Sequence, residues 1–336
     1  MTIAILLVYL NCVLMILKPF KVKFNVSFLY WAIIYLFFVS IIHYPVPGTQ
    51  SDLENYSNFF TSKEDVPFWF IGTEIKHYKE FLYHFISRLL YLIVGDRFFT
   101  FLLLDIFLGI LIFKYFLLLD LKNKKLGYLL FSILLFFPIL CGYQSLFRQL
   151  FSITLFLLST GYIKSGSKKI GLCCFIISIF FHNSSALFFP VIILLFNLKN
   201  YSIIGLFFVY IAIKIASFES NELFYREQVF YDNTVAVSFF IIFSFILMFT
   251  KFTNFNKIDK LSADTIFIAC AIYIIGFISL DSNLLIERIG FFSFSIIYYP
   301  CSNFFDCIRP KIVSRICFFH LSILPIFIFY NHWLLH

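Results

Sequence analysis

Apolar segments of helix length recur along the whole chain, separated by short polar or basic connections. They fall at about 2–17, 26–44, 98–119, 126–144, 146–163, 170–181, 184–197, 201–217, 233–250, 262–281, 288–305 and 313–334. Such a chain has few folds open to it. Its 336 residues are 61% hydrophobic and only 13% charged, with a mean hydropathy of +0.93, which is more apolar surface than a soluble domain of this length buries. Lipid must cover the remainder, and in lipid every backbone amide and carbonyl has to be bonded inside its own element. Glycine and proline are scarce, at 12 and 9 residues, so the runs are expected to be helices. The fold class is therefore all-α, a polytopic integral membrane protein of about 12 transmembrane helices. We expect a single transmembrane domain over 1–336, with a periplasmic loop and interfacial helix over 45–97 inside it.

The formal charge of +8 does not form one patch that would fit nucleic acid. The basic residues sit in small clusters between apolar runs, the pattern that orients a membrane protein. The connections Lys18 to Lys23, Lys122 to Lys125, Lys164 to Lys169, Lys199, Lys251 to Lys260, and Arg309 to Arg315 hold sixteen of the 26 Lys and Arg residues. The opposite connections and helix rims hold eight, namely Lys63, Lys76, Lys79, Arg88, Arg97, Arg148, Arg226 and Arg288. Both termini are thus expected outside. Residues 2–17 lack a basic leader and a small-residue cleavage site, and read as a retained first helix. The segment 81–95 is expected to lie on the outer membrane surface as an amphipathic piece. The pair 170–181 and 184–197 is short for two full crossings and fits a re-entrant hairpin as well as two thin ones. The eight cysteines (Cys12, Cys141, Cys173, Cys174, Cys270, Cys301, Cys307, Cys317) have neither CxxC spacing nor an adjacent His, and read as small buried apolar residues.

Polar chemistry concentrates in two places. The loop from Pro45 to Glu80 is the longest hydrophilic stretch and carries six carboxylates, Asp52, Glu54, Glu64, Asp65, Glu74 and Glu80, beside Trp69 and other aromatics. Those rings suit stacking on sugars, or packing on the membrane rim. Three groups map to the same outside rim: Arg148 opening one helix, His182 in a turn, and Arg288 opening another. Helix N-termini bearing guanidiniums favour an anion, and a pyrophosphate accepts the two-pronged hydrogen bonds that arginine offers. Each group alone also has a structural reading, arginine snorkelling to headgroups and histidine bonding within a turn. Asp105, Lys114, Lys214 and Asp264 are the other charges in or near apolar segments; most lie close enough to an end to snorkel, and Asp105 is the one that stands out.

The order of these residues resembles a known family. The stretch RQLFSITLFLLSTGYIKSGSKKIGLCCFIISIFFHNSSALFFPVIILL, Arg148 to Leu195, is similar to the EpsG-like branch of the Wzy O-antigen and exopolysaccharide polymerases. Arg148, Gln149, Lys168, Lys169, His182, Ser184, Ser185 and Pro190 match its pattern in order. GTQSDLENY, with Asp52 and Tyr56, looks like the family's G-x-D-x-x-x-Y element with a longer spacing between Gly48 and Asp52, where Thr49, Gln50 and Ser51 stand in place of one residue, and Glu80 before an apolar segment also fits. ERIGFF resembles an Arg-x-x-x-aromatic element, with Phe292 where Tyr is common.

The resemblance implies a GT-C-like architecture in a bacterial inner membrane. It implies glycosyl transfer between two undecaprenyl-pyrophosphate-linked oligosaccharides on the periplasmic face, inverting or retaining. Arg148, Gln149, Arg288, Tyr56 and Glu80 would bind the pyrophosphate and glycan, and His182 or Asp52 would take the acceptor proton. The outside loop carries no DxD-like motif, so a metal-independent reaction without cofactors is expected. Partners would be the lipid-linked repeat, membrane lipid and a chain-length regulator protein, and no nucleic acid. The rival classes are a flippase for the same lipid-linked sugar, a membrane acyltransferase and an assembly factor. A flippase would be expected to show related halves with midplane charges.

Overall fold

The protein is described from a computed structural model, which covers residues 2–17, 24–42, 81–119, 123–136, 139, 142–143, 146–220, 260–280, 283–305, 311–316 and 318–319. Among the described residues the chain is helical and has no strand. The helices are α1 (Thr2–Leu17), α2 (Phe24–Ile42), α3 (Phe81–Val94), α4 (Arg97–Leu118), α5 (Asn123–Ser132), α6 (Phe147–Lys164), α7 (Lys168–Phe181), α8 (Phe189–Leu195), α9 (Lys199–Ser220), α10 (Lys260–Ser279) and α11 (Asn283–Phe305). Two of them, α4 and α10, are long and apolar enough to cross a membrane, and several shorter apolar helices accompany them. The expected helix at 233–250 and most of that at 313–334 lie outside the described residues, as does the loop from Pro45 to Glu80.

The chain divides into two compact units, Met1–Asn183 and Ser184–His336. In the first, α6 is the central helix: all of it except Arg148, Tyr162 and Lys164 is buried. The surrounding helices present apolar side chains outward, such as Phe107 and Ile110 on α4 and Ile170, Ile176 and Phe180 on α7. Polar side chains lie inside, with Ser87, Ser152, Ser159 and Ser178 each fully buried. An apolar exterior of this extent over a partly polar interior is what a lipid-facing bundle needs.

Local sequence explains where the elements stop. Gly95 adopts a positive φ of 71° and its amide bonds to Tyr91 O at 2.7 Å, ending α3. Asp96 then caps α4, its carboxylate accepting from the Phe99 amide at 2.9 Å. The run expected as one helix over 126–144 ends early, tightening into a 3₁₀ turn at Ile133–Leu135 before Phe136 turns extended. The sequence has a proline two residues on, at 138, and proline has no amide to donate into a helix. Pro190 acts similarly on the run 184–197. That run becomes a 3₁₀ helix, Asn183–Phe188, followed by the seven-residue α8 with Pro190 in its first turn. The 183–195 run spans about 22 Å and α7 about 21 Å, against roughly 30 Å of hydrocarbon.

A polar seam joins α2 to α4 and to Tyr143. The Tyr35 hydroxyl donates to Asp105 O at 2.6 Å and lies 2.7 Å from the Tyr143 hydroxyl, while Trp31 Nε1 donates to Leu130 O at 2.9 Å. The last of these serves one of the terminal carbonyls of α5. Asn11 and Tyr30 bond α1 to α2. Asp105, singled out in the sequence among the charges in apolar segments, is fully buried beside this seam.

In the second unit, two contacts set the direction of α9 and α10. Lys199 Nζ lies 2.9 and 2.8 Å from the Asp264 carboxylate oxygens, and Lys214 Nζ donates to Ser279 O at 3.3 Å. Lys199 begins α9 and Asp264 is in the second turn of α10, whereas Ser279 ends α10, so the two helices run parallel. Lys214 thereby meets the carbonyl end of α10, where a cation is favoured. Helix α11 returns antiparallel to α10, with Ser293 Oγ donating to Ala269 O at 3.1 Å and Asn303 Nδ2 to Ser262 Oγ at 3.2 Å.

Candidate functional site

Helices α6 and α7 form an antiparallel hairpin whose two ends differ in chemistry. At one end lie Arg148, the second residue of α6, and His182, which follows the last residue of α7. At the other lie Lys164, Lys168 and Lys169. Glycine lets the helices close at the basic end: a Cβ on Gly171 would stand 2.5 Å from Ile163 Cγ1 and 2.9 Å from Ser159 O.

Serine fastens the other end. Ser152 Oγ donates to Ser178 O at 2.7 Å, with a longer contact of 3.4 Å to His182 O. The His182 amide in turn donates to Ser178 O at 3.0 Å. His182 thus leaves α7 in extended backbone, with φ −160° and ψ 122°, and is buried at 6% exposure. Ser152 is four residues after Arg148, one turn along the same face of α6, about 6 Å in rise. The hairpin therefore holds the backbone of His182 within about one helical turn of Arg148.

Gln149 is buried beside the half-buried Arg148. Helix α3 closes against this end of α6. Tyr83 is buried with its ring 6.1 Å from Phe147 and 6.2 Å from Phe151, and Arg148 Nη1 lies 3.3 Å from His84 Nε2. The expected surface segment 81–95 is thus a helix with an amphipathic pattern, His84, Ser87, Arg88 and Tyr91 sharing a side, and it packs into the first unit through Tyr83 and Ser87. His84, Ser152 and Ser178 are site-building residues that sequence reading missed. The spacing of His84 to Arg88 was visible; its contact with Arg148 was not.

Arg288 belongs to the second unit. Helix α11 starts at Asn283, five residues before the expected 288, so Arg288 lies in its second turn and does not open the helix. The expected help from a helix N-terminus does not apply to it, since that effect fades beyond the first turn. Ile289, beside it, is the nearest neighbour of Gly276, near the end of α10 opposite the Lys199–Asp264 pair. Phe292, the aromatic of the ERIGFF element, is fully buried and stacks on Phe188 at 5.2 Å and 17°, so it is a packing residue. Ser184 and Ser185, which match the family pattern, lie within the 3₁₀ turn. Asp52, Tyr56 and Glu80 lie outside the described residues.

Apolar exteriors over buried polar hydroxyls, with helices long and apolar enough to cross a membrane, are those of a helical membrane protein. Its family follows from the sequence: the chain belongs to the EpsG family, whose model matches residues 28–336. Membership points to a polysaccharide-polymerase type of function in general. No curated protein and no solved structure matches the chain.

Proposed function

We propose that this protein is a glycosyltransferase that polymerises an O-antigen or related surface polysaccharide. It transfers the growing glycan from undecaprenyl pyrophosphate to the non-reducing end of a lipid-linked repeat unit, on the periplasmic face of the bacterial inner membrane. The observation that carries the reading is the α6–α7 hairpin, which keeps Arg148, Gln149 and His182 at one end in a chain of this family.

The chemistry asks for two things at that place. The acceptor hydroxyl oxygen forms the new bond to the anomeric carbon of the donor sugar, and the bond from that carbon to the pyrophosphate oxygen breaks. The departing pyrophosphate gathers negative charge, which a guanidinium stabilises through paired hydrogen bonds. The hydroxyl proton goes to a base, for which His182 and Asp52 are the candidates. Arg288 is assigned to pyrophosphate binding from its guanidinium and the resemblance, and Tyr56 and Glu80 to substrate binding on the resemblance alone. No step requires a metal.

A strain lacking this gene is expected to carry single repeat units on its lipid anchor in place of a ladder of polymer lengths, and the gene in trans should restore the ladder. Loss of all surface glycan, single repeats included, would overturn the reading and favour a flippase.

A further inference from the structure

The contact between α3 and α6 has a donor and acceptor logic of its own. A guanidinium carries only donors, so Arg148 Nη1 at 3.3 Å from His84 Nε2 makes a hydrogen bond only if that ring nitrogen offers its lone pair. The imidazole is then neutral, with its proton on Nδ1. Arginine side chains are long and lose much rotamer freedom when held, so a fixed acceptor on a packed helix decides where the fork points. His84 is well placed to be that acceptor. Its neighbour Tyr83 is buried against Phe147 and Phe151, and Ser87, one turn on, is fully buried with its hydroxyl donating to His84 O at 3.2 Å.

We propose that His84 is a positioning residue for Arg148, holding the guanidinium in the orientation that receives the donor pyrophosphate. The assignment rests on the polymerase reading above, with Arg148 as the phosphate ligand. His84 is assigned to act through its contact with Arg148. The geometry makes a specific demand: an acceptor must sit where Nε2 sits. Glutamine can place its amide oxygen there, asparagine is one bond too short, and leucine has no acceptor.

The test uses the full-length chain purified in lipid nanodiscs, assayed for polymer formation from lipid-linked repeat and for thermal stabilisation by inorganic pyrophosphate. His84→Leu and His84→Asn should each weaken polymer formation and the apparent pyrophosphate affinity by on the order of 10-fold, the effect of losing a hydrogen bond to a charged group. His84→Gln should stay within about two-fold of wild type on the same ground. In an Arg148→Ala background, His84→Asn should cause no further loss, because a residue acting through Arg148 has nothing left to position. Additive losses in the double variant, or equal behaviour of the Asn and Gln variants, overturn the proposal. The Asn variant keeps a polar side chain, so the comparison with Gln survives if the Leu variant is not recovered. A wild-type protein that is stabilised by pyrophosphate in a His84-dependent way yet forms no polymer would sink the polymerase reading and leave the positioning role standing. One that neither binds pyrophosphate nor polymerises would remove both.

Discussion

Arg148, Gln149 and His182 were legible because an Arg-Gln pair precedes, and a histidine follows, two successive apolar runs joined by a basic turn, and folding those runs into a hairpin brings both to one end. Their use of arginine can be tested by the most conservative exchange. Arg148→Lys keeps the charge but loses the planar fork, so it should lower polymerisation by at least about 10-fold with normal membrane abundance. A wild-type ladder from that variant would favour headgroup snorkelling instead. For His182, removal of a general base typically costs about 10² to 10⁴ in rate. His182→Ala should therefore nearly abolish polymer made by purified protein while leaving binding of the lipid-linked repeat intact. His182→Gln should rescue only if the ring serves as a hydrogen-bond partner. Full activity of the Ala variant would leave Asp52 as the remaining base candidate.

The α6–α7 hairpin depends on small residues. Gly171 admits Ile163 and the Ser159 carbonyl so closely that even a methyl group forces backbone to shift, because one of the two obstructing atoms is main chain. Gly171→Ala should cost about 1–3 kcal/mol by overpacking, seen as reduced abundance and a lower inactivation temperature in detergent. An unchanged inactivation temperature would mean that the hairpin closes less tightly than the contacts indicate. Sequence reading found these helices from their apolar length but misjudged their ends where proline or capping chemistry intervened. The run expected over 126–144 tightens into a 3₁₀ turn at Ile133–Leu135, Pro190 sits in the first turn of a shortened α8, and α11 begins at Asn283, well ahead of Arg288.

Each unit has a polarity that bears on orientation in the membrane. In the first, Arg148 and His182 lie at the end of the hairpin opposite Lys164, Lys168 and Lys169. In the second, the parallel course of α9 and α10 puts Lys199 and Lys260 at one end, where charge counting also groups them. Which end faces the periplasm is a matter for labelling. In a Cys-free background, an impermeant thiol reagent applied to intact cells should modify a cysteine at Ser57 and spare one at Asn123, given the basic-inside expectation. Modification at Asn123 would reverse the assignment and move His182 to the cytoplasmic side.

Apolar length and charge spacing sufficed to specify a helical membrane protein, because lipid leaves the backbone no other way to satisfy its hydrogen bonds across so many apolar runs. The motif order sufficed for the family. Neither could reveal that α3 joins the site, since an amphipathic stretch with His84 and Arg88 reads equally well as a surface helix. That choice depends on the close fit of Tyr83 against Phe147 and Phe151 and on the reach of Arg148 to His84, contacts more than sixty residues apart in sequence. The same holds for Ser152, whose hydroxyl looks like any other in an apolar run until α7 brings the carbonyls of Ser178 and His182 to it.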